Sequence, residues 1–441
     1  MATDNNNKVL NVPNKREQSG IYSGYAERGV LRPQGNVPNL RFPEFTEDWV
    51  QYKCSDLLEF YSTNSLSWEQ LDYESEELLN LHYGLIHVGL PTLVNVAQNN
   101  LPAIKSEFVP KNYTLCNNGD VAFADASEDT NEVAKPIEFF DCSDRQVVCG
   151  LHTIHGRDKL GITEVGFKGY AFSSTPFHHK IRRLAQGSKV FSISAKNFSE
   201  VSIGVPSKKE QQKIIGLLSK LDERIDTQNK IIEDLKKLKV AICNKLIDNL
   251  VNREPLFRFT EVYSKAGEGG TPETSKSEYY ENGNIPFIKI DDLSNKYIIS
   301  NKDFITELGL QKSSAWIIPT HSLIYSNGAT IGAISINTYE VCTKQGILGI
   351  VPKTSISVEY LYCLMSSNYF SKRIHRIITH GTMATAYLKD INKIKVPIPC
   401  MQKQLKIANT ISSITNKIET ELNILSLLLK QKQYLLQQMF I

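Results

Sequence analysis

The feature that most constrains the fold of this chain is a long run of apolar residues at alternating spacings of three and four. The run follows Val205, and its members are Leu218, Leu221, Ile225, Ile232, Leu235, Ile242 and Leu246. A 3.5-residue period of this length is typical of a coiled coil rather than of a helix lying on a globular core. Ser207 and Glu210 have the spacing of a capping box. The pattern predicts a first long helix over residues 205–252, about 65 Å in length, which is too long for one compact domain.

The same pattern occurs a second time, 193 positions further along the chain, where Pro399 and Gln404 correspond to Pro206 and Gln211. The apolar positions of the second run are Ile411, Ile414, Ile418, Leu425, Leu428, Leu435 and Met439. Two polar residues interrupt each run at matching positions, namely Gln228 and Lys239 in the first run and Glu421 and Lys432 in the second. A single repeat of this length indicates a duplicated unit of one globular domain plus one helix, not a solenoid.

The chain of 441 residues is long enough for two or three domains. Short apolar runs bounded by turn residues, such as Val121–Ala124 after an Asn-Asn-Gly turn, are typical of strands, and the fold class is therefore mixed α/β. The predicted organisation is a mobile N-terminal tail at 1–37, a first domain at 38–204, the first long helix at 205–252, a second domain at 253–396 and the second long helix at 397–441.

Several classes of site and location are disfavoured by the sequence. No apolar run approaches the ~18 residues of a membrane span and no secretory leader is evident, so we expect a cytoplasmic protein that does not enter a membrane. The eight cysteines form no Cys-x-x-Cys pair and no cluster at zinc spacing, so we expect no disulfide framework, metal site or bound cofactor. The motifs of adenine methyltransferases and phosphate-binding loops are absent from the sequence, and no convergent pair of carboxylates stands out. The chain is therefore expected to be non-catalytic.

Charge is distributed unevenly along the first predicted domain. Residues 44–144 carry a net charge of −15, whereas residues 145–204 carry +6. This asymmetry indicates either a polarised surface, with one side suited to phosphates, or acidic and basic segments that interleave in space and cancel. The sequence leaves both possibilities open.

A cationic motif occurs once in each half of the chain. It has the form Phe-x-x-(Lys/Arg)-Ile-x-Arg, beginning at Phe177 and at Phe370, and it is followed by Gly187-Ser188 and Gly381-Thr382. The motif lies in two predicted helices, one over 173–188 closed by Gly187 and one from Tyr362 to Thr379 ending at Gly381. On such a helix the Phe and Ile would face the core and the cations would form one outward stripe suited to phosphate contact. A solvated polar face is the alternative. The candidate phosphate contacts are Lys180, Arg182, Arg183, Lys372, Arg373 and Arg376.

Taken together, these segments resemble the specificity subunit of type I restriction–modification systems. The resemblance rests on VPSKKEQQKII at 205–215 and IPCMQKQLKIA at 398–408, on GGTPETSKSEYYENGNIPFIKIDDL at 269–293 and ITELGLQKSSA at 305–315, and on DASEDT at 125–130 and VVCGLHT at 147–153. It covers essentially all of residues 40–441. The N-terminal tail is longer than the family pattern requires, and the second long helix has Cys400-Met401-Gln402-Lys403 in place of a capping box.

The resemblance implies a non-catalytic, sequence-specific DNA-binding subunit. In this family two target recognition domains each read one half of a bipartite, asymmetric double-stranded DNA target. The two long helices pair as an antiparallel coiled coil with a pseudo-twofold arrangement, and they dock two modification (methyltransferase) subunits. S-adenosylmethionine belongs to those partners, which methylate adenine at N6, while ATP and Mg²⁺ belong to two restriction subunits that can join the complex. Two alternatives stay open: a coiled-coil scaffold with two protein-binding domains, and a standalone DNA-binding regulator.

Base readout would come from loops that differ between the two halves, because the half-sites should differ. The candidates are Asp125 and Ser127 in the first domain and Asn327 and Thr330 in the second, since each pair follows an apolar strand and offers short polar groups to base edges.

The polar seam positions predict the register of the two helices. One register pairs Lys239 with Glu421, and a second one sets Lys239 against Ile414 and Glu421 against Ile232. Because burying an unpaired charge costs several kcal/mol, the register with the Lys239–Glu421 pair is favoured. Cations on the outer helix faces, Lys208, Lys213, Arg224 and Lys236, are expected to meet the methyltransferase subunits together with the acidic part of the first domain.

Overall fold

The structure is a computed structural model that describes residues 36–74, 77–142, 145–379 and 384–441. Nearly all of the predicted N-terminal tail (1–37), as well as Gly381 and Thr382, lies outside these residues. The chain divides into two compact units, which we call the first unit (residues 1–222 and 430–441) and the second unit (residues 223–429). The boundary between them falls inside both long helices.

The first unit contains mostly short strands and helices and the start of one long helix. Its strands are β1 Val50–Lys53, β2 Leu58–Tyr61, β3 Leu71–Asp72, β4 Leu79–Leu81, β5 Leu93–Asn95, β6 Ala103–Ile104, β7 Val121–Ala124, β8 Ala126–Ser127, β9 Pro136–Asp141, β10 Val147–Cys149, β11 Thr153–Asp158, β12 Phe191–Ser192 and β13 Ser202–Val205. Its helices are α1 Cys54–Leu57, α2 Tyr83–Val88, α3 Phe167–Phe172, α4 Thr175–Arg182, α5 Ala195–Ser199 and the start of α6 Lys208–Arg253.

The second unit follows the same plan. Its strands are β14 Leu256–Arg258, β15 Tyr263–Glu268, β16 Ile285–Ile288, β17 Tyr297–Ile298, β18 Asp303–Ile305, β19 Leu323–Ser326, β20 Ile334–Asn337, β21 Cys342–Thr343, β22 Ile347–Pro352 and β23 Lys395–Pro397. Its further helices are α7 Glu307–Gln311, α8 Val358–Met365, α9 Asn368–His375, α10 Leu388–Ile391 and most of α11 Met401–Gln438. The mixed α/β class predicted from the sequence is confirmed.

The main sheet of each unit has five strands with one shared topology. The strand order is β2-β11-β7-β9-β5 in the first unit and β15-β22-β19-β20-β17 in the second. In both sheets the first three pairings are antiparallel and the last is parallel. The central strands β7 and β19 are buried along their whole length, as their apolar sequences require. Duplication of the sequence is therefore reproduced as duplication of the sheet.

Smaller sheets complete each unit. In the first unit they have the orders β10-β4-β6-β3, β1-β13 and β12-β8, and in the second unit the orders are β18-β16-β21 and β14-β23. The pairings β1-β13 and β14-β23 are antiparallel, and each joins the first strand of its unit to the strand just before a long helix. Each globular part is thus closed at the point where its long helix begins.

The start of α6 differs in one contact from the predicted capping box. The Ser207 Oγ accepts the backbone N–H of Glu210 at 3.4 Å, which is the serine half of the motif. The Glu210 carboxylate instead accepts two hydrogen bonds of 2.7 Å from the Arg41 guanidinium, and both side chains are almost fully buried. A bidentate Arg–carboxylate pair is stronger than a single bond to a backbone N–H, so Glu210 fastens the segment around Arg41 to the helix.

A buried glutamine fastens each long helix to the globular part before it. Gln211 donates from Nε2 to the carbonyls of Ile162 and Pro206 at 3.0 and 2.9 Å, and its Oε1 accepts the Glu164 N–H at 2.7 Å. In the second unit Gln404 makes the same three bonds, to the carbonyls of Ser355 and Pro399 at 3.0 and 2.9 Å and from the Ser357 N–H at 2.8 Å. We call these two residues the glutamine clamps.

The second half of α6 packs on a globular core as well as on α11. Its most buried residues there are Cys243, Ile247 and Leu250, whereas the predicted seam residues Ile242 and Leu246 are only partly buried. A straight helix has 3.6 residues per turn, so a face that lies on a globular core drifts away from a 3.5-residue seam. The seam predicted from the sequence therefore shifts by one position at this end.

The favoured register of the helix pair is wrong. Glu421 does not meet Lys239; its carboxylate and carbonyl accept hydrogen bonds from the Gln228 amide at 2.5 and 3.0 Å. Lys239 is 11 residues from Gln228, which is about 16 Å along the helix. Lys239 instead lines one cavity together with Ile411, Thr415 and Ile418. The Gln228–Glu421 contact belongs to neither of the two registers considered from the sequence, because the second would set Glu421 against Ile232.

The energetic assumption behind the favoured register fails for two physical reasons. Glu421 is satisfied by the Gln228 amide and by Lys417 of its own helix, so it needs no cation from the opposite helix. Lys239 is only partly buried, and it lines a cavity of about 920 Å³ within the second unit. Its long side chain can thereby keep the ammonium hydrated without a carboxylate partner.

Candidate functional site

Each unit carries one short helix with the predicted cationic motif. The helices α4 and α9 start in the same way, because Ser174 and Ser367 accept the backbone N–H groups of Phe177 and Phe370, both at 3.4 Å. Phe177 and Ile181 are buried in the first unit, as are Phe370 and Ile374 in the second. The spacing of four residues puts each pair on one face, so the cations lie on the rest of the helix surface.

Both helices are shorter than the sequence predicted. The helix expected over 173–188 ends at Arg182, and Gly187 does not close it but occupies a tight turn with φ 143°, where a Cβ would lie 1.9 Å from the Val190 carbonyl oxygen. The helix expected from Tyr362 to Thr379 is broken at Ser366 and Ser367 into α8 and α9. In both units a Ser-Ser pair precedes the cationic helix, and its second serine is the N-cap of that helix.

The cations of α4 differ in their surroundings. Arg183 is the C-terminal cap residue and is exposed. Arg182 donates to the Asn131 side chain at 2.8 Å, which ties the helix to the loop after β8. Lys180 is partly buried and its ammonium donates to the Ser202 carbonyl at 2.8 Å, while burial lowers the pKa of this lysine. The structure therefore does not support Lys180 as a phosphate contact, because its charge is directed into the domain.

The cations of α9 repeat this division. Arg376 occupies the same C-terminal cap position as Arg183, and both Arg376 and Lys372 are exposed. Arg373 is partly buried; its guanidinium lies 3.3 Å from the centre of the Tyr369 ring and donates to the Tyr369 carbonyl at 3.0 Å. The exposed members of the six predicted cations are therefore Arg183, Lys372 and Arg376.

The predicted base-reading loop of the first unit is half-exposed and has a histidine partner. Asp125 follows β7, and its carboxylate lies 3.1 Å from the Nδ1 of His152. Burial raises the pKa of Asp125 above its usual value, and the nearby His152 only partly opposes this shift. His152 forms the turn between β10 and β11 with φ 54°, and its carbonyl accepts the Asp125 N–H at 3.0 Å. Ser127 is partly buried and its Oγ accepts the Asp129 N–H at 3.1 Å.

Aromatic and imidazole rings surround this Asp125–His152 pair. Tyr83 packs against His152 with ring centres 5.2 Å apart and against His82 at 4.8 Å, and His82 packs on the exposed Trp68 at 4.4 Å. Sequence reasoning missed all four rings, because they come from three separate segments of the chain. Their signal was the group of aromatic and histidine residues at 82, 83 and 87, which the sequence shows but does not place. Stacking surfaces beside polar groups are suited to nucleic-acid bases.

The second unit builds the equivalent loop from different residues. Asn327 follows β19 as Asp125 follows β7, and its N–H donates to the Gly346 carbonyl at 3.0 Å, as that of Asp125 does to His152. Gly346 also has a positive φ, of 84°. The Asn327 side chain is fully buried and donates to the Ala386 carbonyl at 3.2 Å. The prediction that Asn327 reads a base is therefore wrong, because its side-chain amide holds the loop.

Other residues of this second loop face solvent. Thr330, predicted from the sequence, is exposed. Lys344 and Gln345, in the turn between β21 and β22, are also exposed and were missed. Comparison with the first unit identifies both residues, because the turn between β21 and β22 is equivalent to the turn that carries His152.

The acidic and basic segments of the first unit interleave in part. Asp120 accepts three hydrogen bonds from Arg157 and His155 at 2.7–2.8 Å, and Glu138 lies 3.2 Å from the Lys168 ammonium. Burial alone would raise the pKa of Asp120, but the bonds from Arg157 and His155 outweigh it and lower that pKa below its usual value. At least two acids of the −15 segment are thus neutralised by cations of the +6 segment.

The described parts of the chain contain a single group of three close metal-ligating side chains, which consists of Cys116, Cys149 and His155, all buried in the first unit. Across the same residues no helix has the length and apolarity to cross a bilayer.

Comparisons with known proteins identify the family to which these features belong. The family model described as "Type I restriction modification DNA specificity domain" matches residues 160–237 and 256–429, which is more than half of the chain. The matched residues include both cationic helices, both glutamine clamps and the main sheet of the second unit.

Two curated relatives agree with this match. The chain is 31% identical over 156 residues to the type I restriction enzyme MjaIX specificity subunit of Methanocaldococcus jannaschii, covering 35% of this chain and 36% of that one. It is 26% identical over 259 residues to the EcoR124I/EcoR124II specificity subunit of Escherichia coli, covering 54% and 62%. The matches thus span about one third and three fifths of these relatives.

A solved structure titled "Structural basis underlying complex assembly and conformational transition of the type I R-M system" has a similar fold. It aligns with a TM-score of 0.58 at 14% identity, over 88% of this chain and 96% of the other.

Proposed function

Because this chain belongs to the family of type I restriction–modification DNA specificity domain proteins, we propose that it recognises a bipartite, asymmetric DNA target and docks two adenine-N6 methyltransferase subunits. The chain itself contributes recognition and no catalysis. S-adenosylmethionine, and ATP and Mg²⁺ where restriction subunits join, would be bound by the partners. Each unit would read one half of the target.

The observation that carries this proposal is one scaffold used twice with different loop residues. Both units have the same five-stranded sheet and a serine-capped helix that ends in an exposed arginine, Arg183 or Arg376. Contacts from such arginines to phosphates are independent of sequence, and they would position each unit on DNA in the same manner.

The residues at the loop end of each sheet support an asymmetric target. The first unit presents a carboxylate with an imidazole, Asp125 and His152, while the second presents Thr330, Lys344 and Gln345. A carboxylate accepts from cytosine N4, whereas Lys and Gln side chains donate to guanine or pair with adenine. Two loops with such different hydrogen-bonding groups would select different half-sites.

Docking of partner subunits is supported by apolar residues that the long helices leave exposed. They lie outside the buried seam and are Leu217, Ile231, Leu238, Val240, Leu405, Leu422, Leu427, Leu429 and Tyr434. Apolar side chains in such number on helix surfaces are typical of a protein interface. Lys208 and Lys213 are each more than half exposed, although they lie near Glu164 and Glu44 at 3.6 and 3.1 Å.

The test is base-resolved mapping of N6-methyladenine in a host that lacks other adenine methyltransferases. Cells express the cognate methyltransferase with this chain or without it. The proposal expects methylation at one bipartite asymmetric motif only when the chain is present, and a purified complex of two methyltransferases per chain. A chain that binds DNA but neither binds methyltransferase nor changes the map would be a standalone regulator, and one that binds partners without DNA would be a scaffold; either result overturns the proposal.

A further inference from the structure

Three potential metal ligands meet in the interior of the first unit, although one of them, Cys116, lies 33 residues before Cys149 in the sequence. Cys149 ends β10, His155 lies in β11, and Cys116 is held against β10 by its N–H bond to the Val147 carbonyl at 2.9 Å. The three residues are 5%, 2% and 1% exposed for Cys116, Cys149 and His155. The two sulfurs are 3.6 Å apart, and the ligand atoms of all three residues lie within 4.8 Å of one another.

One nitrogen of His155 has no partner in the described structure. Its Nε2 lies 2.8 Å from the Asp120 carboxylate, which also accepts from Arg157 and can only accept when ionised, so Nε2 carries the proton. The Nδ1 atom is buried without any hydrogen bond. Neutral His155 would bury a bare lone pair there, and charged His155 would bury a bare N–H. Either form leaves a polar atom unsatisfied, which is costly in the interior.

We propose that Cys116, Cys149 and His155 bind a thiophilic cation of the Zn²⁺ class. Two thiolates on one tetrahedral Zn²⁺ at bonds of ~2.3 Å lie about 3.8 Å apart, close to the observed 3.6 Å between the two sulfurs. Coordination through Nδ1 satisfies the orphaned lone pair, and the Nε2–H bond to Asp120 is the carboxylate–histidine support that metal-binding histidines usually have.

Binding of the cation by these three side chains needs no oxidant, reductant or other co-reactant. The two thiols release their protons as the thiolates form, while His155 keeps its Nε2 proton and gives its Nδ1 lone pair. Three protein ligands leave one position for water. Cys149 also lines a cavity of about 260 Å³ beside Ser62 and Thr114, so this ligand residue borders a space large enough for water.

The second unit fills the equivalent space with an apolar side chain. Ile318 corresponds to Cys116, because its N–H donates to Val341 at 2.8 Å as that of Cys116 does to Val147. Thr343 ends β21 as Cys149 ends β10, and Gly349 lies two residues into β22, as His155 does in β11. A Cβ at Gly349 would come within 2.4 Å of Ile318 Cδ1. The fold thus accepts either an isoleucine plug or the Cys-Cys-His group at one place.

The proposed cation would stiffen the turn that carries His152. Cys149 and His155 lie on either side of that turn, with Cys149 at the end of β10 and His155 within β11. Cross-linking both flanks to Cys116 would hold His152 beside Asp125 in the loop that we assign to base reading. Removal of the cation would therefore lower discrimination at one half-site more than at the other.

The experiment measures metal on the intact chain, purified with its partners without chelator. We expect about one Zn²⁺ per chain by elemental analysis, and Co²⁺ added after chelation should give the intense near-ultraviolet band of thiolate coordination. Cys116→Ser and Cys149→Ser should each lose this ion and this band. The control Cys342→Ser, a buried cysteine of the second unit, should keep both.

A second measurement avoids dependence on the folding of the variants. The wild-type chain is treated with chelator, and its thiols are alkylated with and without added Zn²⁺, followed by mass spectrometry of each cysteine. Selective protection of Cys116 and Cys149 by Zn²⁺ supports the site. Absence of bound metal together with equal alkylation in both samples would overturn it, as would a Cys116–Cys149 disulfide in the freshly purified protein.

Discussion

The two units show how one scaffold can be kept while its exposed loops change. Their main sheets have the same strand order and the same pattern of antiparallel and parallel pairs. The backbone bond from the residue after the central strand is also the same, from Asp125 to His152 and from Asn327 to Gly346, at 3.0 Å in both. The side chains differ at both positions, a carboxylate and an imidazole in the first unit against an amide and a glycine in the second. Backbone geometry, not residue identity, therefore defines the equivalence of the two loops.

The interior of the two units differs as well, which is less expected in a duplicated fold. The first unit buries a polar network of Asp120, His155 and Arg157, whereas the second has Ser322 in place of Asp120 and Gly349 in place of His155. Removing one member of a buried ionic network leaves its partners without their hydrogen bonds, which costs several kcal/mol. The difference predicts that the first unit depends on specific polar contacts and the second on packing.

The largest expected effect comes from removing the centre of that network. Asp120→Ala leaves Arg157 and His155 without their acceptor and should destabilise the first unit by about 3–5 kcal/mol. At the equivalent position, Ser322→Ala removes a hydroxyl that is buried without a hydrogen bond in the described structure, so its cost should be within about 0.5 kcal/mol. Hydrogen exchange of the slowest amides in β7 and β19 reports each unit separately.

The informative quantity is the difference between the stability losses of Asp120→Ala and Ser322→Ala. Equal losses in both units would mean that the polar network of the first unit is no more important than packing. Exchange in the unit that was not changed provides the internal control, because its protection should stay as in the wild type.

The glutamine clamps are expected to behave alike. Gln211→Ala and Gln404→Ala each leave two backbone carbonyls and one N–H without this partner, and one of the carbonyls, of Pro206 or Pro399, is buried. Each variant should therefore cost about 1–3 kcal/mol and loosen the first turn of its long helix. The neighbouring Gln212→Ala and Gln402→Ala remove exposed side chains and serve as matched controls. Hydrogen exchange at the starts of α6 and α11 checks the prediction. If only one of the two variants lost stability, the two clamps would share their hydrogen bonds but not their contribution to stability.

The sequence predicted the repeated parts of the fold because these depend on local patterns. Serine caps and i, i+4 apolar pairs require only a few adjacent residues, so the existence of α4, α9 and both long helices could be predicted. Helix ends could not, since the break at Ser366 and Ser367 competes with a strong helical pattern nearby. The 3.5-residue seam likewise gave the pairing of the helices but not their register.

The candidate site was harder to predict than the fold. Asn327 and Asp125 occupy equivalent positions after an apolar strand, and only tertiary contacts decide that one amide is buried against Ala386 while one carboxylate faces His152. The proposed ligands Cys116 and Cys149 are 33 residues apart, a spacing that no short metal motif has. Residues brought together by strand pairing carry no local signal, and this is why the polar networks were missed.

A smaller effect, confined to one half-site, is expected at the first base-reading loop. Asp125→Asn should reduce discrimination at one half-site by about 1–3 kcal/mol, because an amide replaces the acceptor that a cytosine N4 requires. Glu128→Gln, an exposed acid in the same loop, is the matched control. Thr330→Ala should affect the other half-site, while Asn327→Ala should destabilise the second unit without changing preference. Titration of the methyltransferase complex with half-mutated duplexes separates these outcomes.

The raised pKa of Asp125 adds a pH signature to this variant. The pKa of Asp125 is higher in the folded than in the unfolded state, so its protonated carboxyl stabilises the fold at pH values below the pKa of the unfolded state. That contribution is lost as the pH rises through the pKa of the folded state. At neutral pH the charged carboxylate therefore costs stability, so Asp125→Asn should be neutral or stabilising there. Thermal unfolding at pH 5 and pH 8 tests this. A variant that is less stable at pH 8 would show that Asp125 is held mainly by its partner and not strained by burial.

The smallest effect per substitution is expected at the paired arginines that end α4 and α9. Arg183→Ala and Arg376→Ala should weaken binding to all DNA sequences alike, and each should lower the slope of log affinity against log salt by about one unit. Lys180→Ala and Arg373→Ala are the controls, because their charges are directed to the Ser202 carbonyl and to the Tyr369 ring and carbonyl. Binding titrations at several salt concentrations, with matched and scrambled duplexes, give the slopes. Equal slopes for the two arginine variants would mean that both units hold DNA through the same helix end, whereas a change of sequence preference in either variant would place that arginine at a base edge instead.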